Sequence, residues 1–402
     1  MLSPIGSRRW IATLSAMTAV TALSIDMSLP AQPTLATAFD VPSETAQLTL
    51  SVFLVAFALA QLVTGSLSDV LGRRPVLLAG LALFALSGVA CALSPGIEVL
   101  LACRVIQGFG AAAAPVVARA MVRDTQPVAE AARLLSTMLA ALAVAPMIAP
   151  VLGSNLLVLF GWRSIFVALA TCGIALFALA ASSLGETLLS ERRTTTRVID
   201  NYAEFFRTPG TRLPMFVSCA TFAGQFAYIG DSPFVLIDGY HVSPAHFAYY
   251  FAATALALMA GSLSGRSMLR AGRSPRLLLR IGGSLLVTGG VLVFIGTHAG
   301  LGLAGFFVPM LVYFLGVGLT APSATALALE PVPHIAGTGS AAIGSLQMIA
   351  GALAGYETTH LGGSSPRVFA SVVLAMGALA SLLAFAASRP QSATRASSRS
   401  AS

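Results

Sequence analysis

Gly65-Ser66-Leu67-Ser68-Asp69-Val70-Leu71-Gly72-Arg73-Arg74-Pro75 is a polar, charged interruption between two long apolar runs. It reads as a tight loop at one face of a membrane. Its two glycines allow close backbone approach or a positive φ. Asp69 set against Arg73 and Arg74 supplies opposite charges that can bond helix ends across the turn. Pro75 suits the first turn of a following helix.

Outward from this stretch, apolar runs recur at about the 20-residue length that crosses a bilayer as a helix. They fall near 11–30, 48–68, 76–94, 99–118, 135–158, 164–184, 213–236, 246–268, 277–296, 301–322, 338–356 and 368–387, twelve in all. Helices are expected because lipid offers the backbone no other partner, and the runs lack the short alternation of a membrane barrel. The chain is 56% hydrophobic and only 9% charged, with mean hydropathy +0.85. A soluble domain carries about 25% charged residues. The fold class is therefore an all-α membrane protein with twelve transmembrane helices.

All 23 basic residues are arginine. Without lysine there is no phosphate-binding loop of the Walker type, so no ATPase is carried on this chain. A net charge of +8 would point to nucleic acid in a soluble domain, but here the arginines gather in alternate short connections. These are Arg8 and Arg9; Arg73 and Arg74; Arg119, Arg123 and Arg133; Arg192 to Arg212; Arg266 to Arg280; and Arg389 to Arg399. Only Arg163 and Arg367 fall on the other side. By the positive-inside rule the Arg-rich side is cytoplasmic and both termini lie inside. The partner is lipid bilayer, with no nucleic acid. The four cysteines fall in apolar runs and read as small core residues rather than a disulfide framework. No His or Cys cluster has metal-ligand spacing. The run after Trp10 is too long for a signal peptide and holds an Asp, so it reads as a retained first helix.

Four segments are expected: a six-helix bundle over 1–184, a cytoplasmic linker over 185–212 that is flexible or partly amphipathic, a second six-helix bundle over 213–388, and a disordered tail over 389–402. The halves look like repeats. Gly65-Ser66-Leu67-Ser68 recurs as Gly261-Ser262-Leu263-Ser264, and Gly72, Arg73 and Pro75 recur as Gly272, Arg273 and Pro275. Gly108-Phe109-Gly110 with Pro115 parallels Gly316-Val317-Gly318 with Pro322. Parallel six-helix repeats suit a transporter that rocks about a central site.

Two ionisable residues lie deep in the apolar runs. Asp26 stands roughly 24 Å along the first helix from Trp10, at about 1.5 Å per residue, in the outer half of a ~30 Å core. An ionisable group there is costly and by default functional, and a carboxyl can exchange a proton with the outside. Arg104 lies at a similar depth in the fourth run. Its guanidinium stays charged, so it can hold a carboxylate charged or release it, but cannot itself carry the proton.

The opening stretch, with Gly65, Asp69, Gly72, Arg73 and Arg74, resembles motif A of the major facilitator superfamily, which implies conformational gating. Arg104-Val105-Ile106-Gln107-Gly108-Phe109-Gly110 resembles motif B, in which an Arg is linked to proton transfer. Ala145-Pro146-Met147-Ile148-Ala149-Pro150-Val151-Leu152-Gly153 resembles motif C of drug antiporters, through Pro146, Pro150 and Gly153. Ala145, Ala149 and Ser154 depart from its glycines. Asp26-Met27-Ser28-Leu29-Pro30 with Pro33, Tyr228-Ile229-Gly230-Asp231-Ser232-Pro233-Phe234, and Ala326-Leu327-Ala328-Leu329 followed by Ala336-Gly337-Thr338 are similar to the Bcr/CflA group of drug:proton antiporters. Pro322-Ser323 replaces that group's usual Gly-Asn.

The resemblance implies a monomeric exporter of small amphipathic antimicrobials, bicyclomycin-, chloramphenicol- or florfenicol-like, in a bacterial inner membrane. Protons are then the coupling ion, with no cofactor, metal or enzymatic activity. Gln107, Phe222, Gln225, Phe226, Tyr228 and Asp231 are candidates to line its cavity. The alternative in the same fold is a transporter of one endogenous metabolite.

Overall fold

The computed structural model describes residues 4–188, 198–362 and 365–389. Its helices are α1 (Arg8–Asp26), α2 (Gln32–Phe39), α3 (Ser43–Leu71), α4 (Arg73–Ala92), α5 (Ile97–Thr125), α6 (Val128–Phe160), α7 (Arg163–Ser183), α8 (Val198–Arg207), α9 (Arg212–Pro233), α10 (Pro244–Arg270), α11 (Pro275–His298), α12 (Gly302–Leu329), α13 (Ala336–Gly362) and α14 (Pro366–Ala387). A 3-10 turn, Leu29–Ala31, joins α1 to α2, and a π-helical turn, Phe234–Gly239, ends α9. No strand occurs among the described residues. Each of the twelve predicted runs is met by one long helix. Among the described residues ten helical spans are long and apolar enough to cross a membrane, and α6 adds the apolar stretch Val144–Phe160. The twelfth, α13, is 27 residues long, and its run is broken by Gln347, Thr358 and Thr359.

Two boundaries differ from the reading of the sequence. The Gly65 to Pro75 stretch is not a loop: α3 runs on to Leu71 and α4 starts at Arg73, leaving Gly72 alone between them at φ 103°, ψ 156°. That conformation is open to glycine almost alone, so a single residue reverses the chain. Gly272 likewise has φ 78° between α10 and α11. The first helix stops at Asp26 rather than near residue 30. Pro30 has no N–H to give the Asp26 carbonyl, and Pro33 has none for Leu29.

The first six long helices pack chiefly on one another: α5 on α3 and α4, α7 on α4, and α6 on α1. The last six do likewise, α12 on α10 and α11, α14 on α11 and α9, and α13 on α9. The Gly-x-Gly pairs explain the seating of α5 and α12. A methyl at Gly108 would strike the Phe53 carbonyl of α3, and one at Gly110 the Phe84 backbone of α4. In the second set, Gly316 lies against Gly282 and Leu286 of α11, and Gly318 against Leu258 and Ser262 of α10. Without a hydrophobic drive between helices in lipid, such close backbone contact is what holds them.

Between the sets, α3 lies along α13 and α6 along α10. At one end the Leu29–Ala31 turn packs on α9 and α10, and α2 on the π-helical turn. Leu29, Leu35, Phe234, Val235 and Leu236 are fully buried there, so this end is closed. At the other end, part of the expected linker forms α8. Phe205 is buried against Gly339 of α13, Glu204 pairs with His334 at 2.7 Å, and the Tyr202 hydroxyl donates to the Leu62 carbonyl of α3 at 3.4 Å. Residues 189–197 of the linker, and the tail from residue 390, lie outside the described residues.

Gly72→Ala is expected to lower thermal stability in detergent by about 1–3 kcal/mol, the cost of forcing a side chain into a glycine-only region. Gly65→Ala should be neutral or stabilising, because a methyl there meets only Val116 at 3.9 Å and alanine favours the helix.

Candidate functional site

Arg104 is fully buried in α5, and its acceptors come from three helices. Its Nε donates to the Thr49 carbonyl of α3 at 2.9 Å, Nη1 to Gln107 Oε1 at 2.7 Å, and Nη2 to the Ser24 carbonyl of α1 at 3.4 Å. The guanidinium lies 4.3 Å from the Phe53 ring centre and 5.8 Å from that of Phe166 on α7. The break after α1 supplies one of these acceptors. The Ser28 N–H turns to the Ile25 carbonyl, which leaves the Ser24 carbonyl without its backbone donor, and it accepts instead from Arg104 and from the Ser28 hydroxyl at 3.3 Å. The expected carboxylate partner is not formed. Among the described residues no ion pair reaches Arg104, because backbone carbonyls and an amide already fill its fork.

Asp26, the last residue of α1, is 4% exposed, so it is inside the protein. Neither nearby serine serves it: the Ser24 hydroxyl bonds the Val20 carbonyl, and that of Ser28 the Ile25 carbonyl. Close by is the proline-rich stretch of α6, which runs unbroken through Pro146 and Pro150. A methyl at Gly153 would collide with the Met27 backbone. Gly153 thus seats α6 directly on the residue after Asp26. Sequence reading gave Asp26, Arg104 and Gly153 as separate signals, and the fold brings all three to the break after α1. Gln107 belongs here too, and its Nε2 is buried without an acceptor.

The charged stretch forms a brace at the opposite end. Arg73 Nη1 pairs with Asp69 Oδ1 at 2.6 Å and donates to Ser68 Oγ at 2.7 Å, while its Nε meets Asp124 Oδ2 of α5 at 2.8 Å. Arg74 donates to the Leu184 and Ala181 carbonyls at the end of α7, both at 3.0 Å. Glu186 accepts the backbone N–H groups of Arg73 and Arg74 at 3.0 and 3.2 Å, capping α4. An acid at a helix N-terminus meets both the free donors and the dipole. Asp124 and Glu186 were missed in the sequence. Their only signal is an acid placed just where a long apolar run ends.

The remaining candidates lie on α9. Phe222 and Phe226 stack with centres 4.6 Å apart, Gln225 is half-buried, and Tyr228 is enclosed by Phe251, Phe314 and Phe369. Asp231 accepts from Thr359 Oγ1 at 2.9 Å. A separate apolar groove of about 330 Å³ runs between α3, α5 and α13, lined by Val55, Leu59, Phe109, Leu353 and Tyr356 among others. None of the six predicted cavity residues lines it.

Two linked six-helix sets with a buried acid and arginine at the break of α1 and a charged brace at the other end define a membrane transporter rather than an enzyme. The profile of the Major Facilitator Superfamily matches residues 14–355, and the chain belongs to that family. It is similar to an "Uncharacterized MFS-type transporter YdgK" of Bacillus subtilis, 35% identical over 87% of this chain and 89% of that protein. A "Chloramphenicol resistance protein" of Pseudomonas aeruginosa is 32% identical over 81% and 77%, and a "Bicyclomycin resistance protein homolog" of Haemophilus influenzae 28% over 86% and 87%. Among solved structures, a bacterial homologue of the human lysosomal transporter Spinster, inward-facing, matches with a TM-score of 0.74 at 16% identity over 96% of this chain and 98% of that one. The xylose transporter XylE from E. coli matches at 0.72 and 14% over 93% and 96%. At that identity these two share the fold alone.

Glu186→Ala should cost about 1 kcal/mol of thermal stability by uncapping α4. Gly153→Val should displace α6 from Met27, and crosslinking between cysteines placed on α1 and α6 should fall while membrane insertion is kept.

Proposed function

We propose that this chain is a proton-coupled exporter of small amphipathic antimicrobials, working as a monomer by alternating access in a bacterial inner membrane with both termini cytoplasmic. The observation that carries the reading is Asp26: a buried acid without a hydrogen-bond partner among the described residues, at a helix break, two residues after the Ser24 carbonyl that Arg104 holds. Such an acid can change protonation without tearing an ion pair apart. Protons are the coupling ion and no cofactor is required. A proton bound from outside at Asp26 as drug departs lowers the cost of enclosing that end, and its release to the cytoplasm readies the site for the next drug.

The drug-resistance names of two relatives support the substrate class. So does the scarcity of fixed charge in the membrane segments, since an apolar lining binds ionic solutes only at a large desolvation cost. The two sets of helices would rock as bodies over 1–184 and 213–388 about the contacts of α3 with α13 and α6 with α10. Gly65, Asp69, Gly72, Arg73 and Arg74 would gate the cytoplasmic end, with Pro146, Pro150 and Gly153 holding the outer break.

In proteoliposomes with an imposed proton gradient, chloramphenicol and bicyclomycin should be transported and sugar phosphates or dicarboxylates should not. Asp26→Asn should reduce gradient-driven drug transport to the level of empty liposomes while the protein remains folded and inserted. Saturable transport of one anion, with no drug moved or competing, would leave a single-metabolite transporter instead.

A further inference from the structure

The second half holds an acid as deeply buried as Asp26. Asp231, two residues before the end of α9, is 1% exposed. Its Oδ1 accepts from Thr359 Oγ1 of α13, but that hydroxyl also points to the Gly355 carbonyl at 3.1 Å, so the one hydrogen bond is shared. Its Oδ2 is buried with no partner, and among the described residues no cation pairs with it. Burying a carboxylate in this way leaves a desolvated charge with one oxygen unsatisfied. The neutral acid avoids most of that cost.

The place matters as much as the burial. Gly230 and Gly355 let α9 and α13 approach, and a methyl on either would press on Gln47 Nε2, which reaches in from α3. One turn along α3, the Ser51 hydroxyl donates to the Ala352 carbonyl of α13 at 2.8 Å. Asp231 therefore lies where a first-half helix meets a second-half pair, near the closed outer end. Opening that end parts α3 from α9 and α13 and wets the carboxyl.

We infer that Asp231 is a second proton-binding site, in the second half, which takes a proton from the outer side and must hold it for the outer end to close. This rests on the alternating-access reading and adds a proton site to Asp26. The other buried acid among the described residues is Asp26, at the end of α1, and the elements at Asp231 itself bring the phenols of Tyr228 on α9 and Tyr313 on α12. Glu44 of α3, Asp238 of the π-helical turn, Glu357 and His360 of α13 and Arg367 of α14 stand half-buried or exposed near the outer ends.

The test uses substrate-free protein in liposomes with Cys91, Cys103, Cys172 and Cys219 replaced by alanine and Asp26 by asparagine, which removes the other linked proton. Val235→Cys, on the fully buried face of the π-helical turn, reports outer opening by its labelling rate with a membrane-impermeant maleimide. The exposed Leu301→Cys corrects for the pH dependence of the thiol. The corrected rate should rise with external pH, with a slope approaching about one log unit per pH unit, as one linked proton requires. Asp231→Asn should be slow and flat across the range, and Asp231→Glu should restore the slope. If the Asn variant fails to insert, Asp231→Ser serves the same purpose. A slope unchanged in the neutral variant, or absent from the parent, overturns the assignment. Because no drug is used, failure of the exporter reading shows in the transport panel and leaves this result independent.

Discussion

A guanidinium cannot shed its charge, so Arg104, once buried in α5, has to be surrounded by acceptors, and the end of the first half around the break of α1 is arranged to supply them. Thr49 gives a carbonyl from α3, Gln107 an amide oxygen from one turn along α5, and Ser24 a carbonyl that the break of α1 has set free. Phe53 and Phe166 add their ring faces, a contact that gains strength away from water. Four helices are thereby fixed to one side chain. The break that frees the Ser24 carbonyl also places Asp26 at a helix end, and Gly153 lets α6 close over the residue beyond it. Lysine could not substitute, since an ammonium lacks the planar fork that spans acceptors on three helices.

The rest of the packing follows from the absence of water between helices. Apolar side chains gain nothing by leaving lipid for one another, so contact relies on small residues that let backbones touch. In each half one helix carries Gly-x-Gly and lodges between its two neighbours, α5 between α3 and α4, and α12 between α10 and α11. The two halves reuse the device with the same residues at corresponding places, which gives the faint repeat in the sequence a physical cause. Both also turn a hairpin on a glycine with positive φ, Gly72 and Gly272.

A charged brace and α8 tie the helix ends opposite the break of α1. Arg73 ties the end of α3 to α5 through Asp69 and Asp124, while Glu186 and Arg74 join α4 to the end of α7. The first half is thus tied together at this end. By contrast α8 reaches both halves: Phe205 is buried against α13, while the contact of Tyr202 with α3 is one long hydrogen bond. A single bond of that kind costs little to break.

The number of helices and the repeat were legible in the residues themselves, because a bilayer demands about 20 apolar residues per crossing. Gly72 was legible as a turn, and Asp26 and Arg104 as misfits, since a lone charge in an apolar run needs no structure to be conspicuous. The sequence could not show that the opening stretch is helical up to Leu71, because a polar face at the end of a helix and a polar loop have the same composition. Nor could it reveal that Arg104 turns to carbonyls rather than to a carboxylate: a backbone acceptor is present at every residue, and only the break of α1 determines which one is free. Asp124, Glu186 and the half-satisfied carboxyl of Asp231 take their meaning from neighbours 51, 113 and 128 residues away. Those pairings are set by how the helices stack, since the distance between two side chains in a bundle depends on which glycines let the backbones meet, and tertiary structure alone decides that.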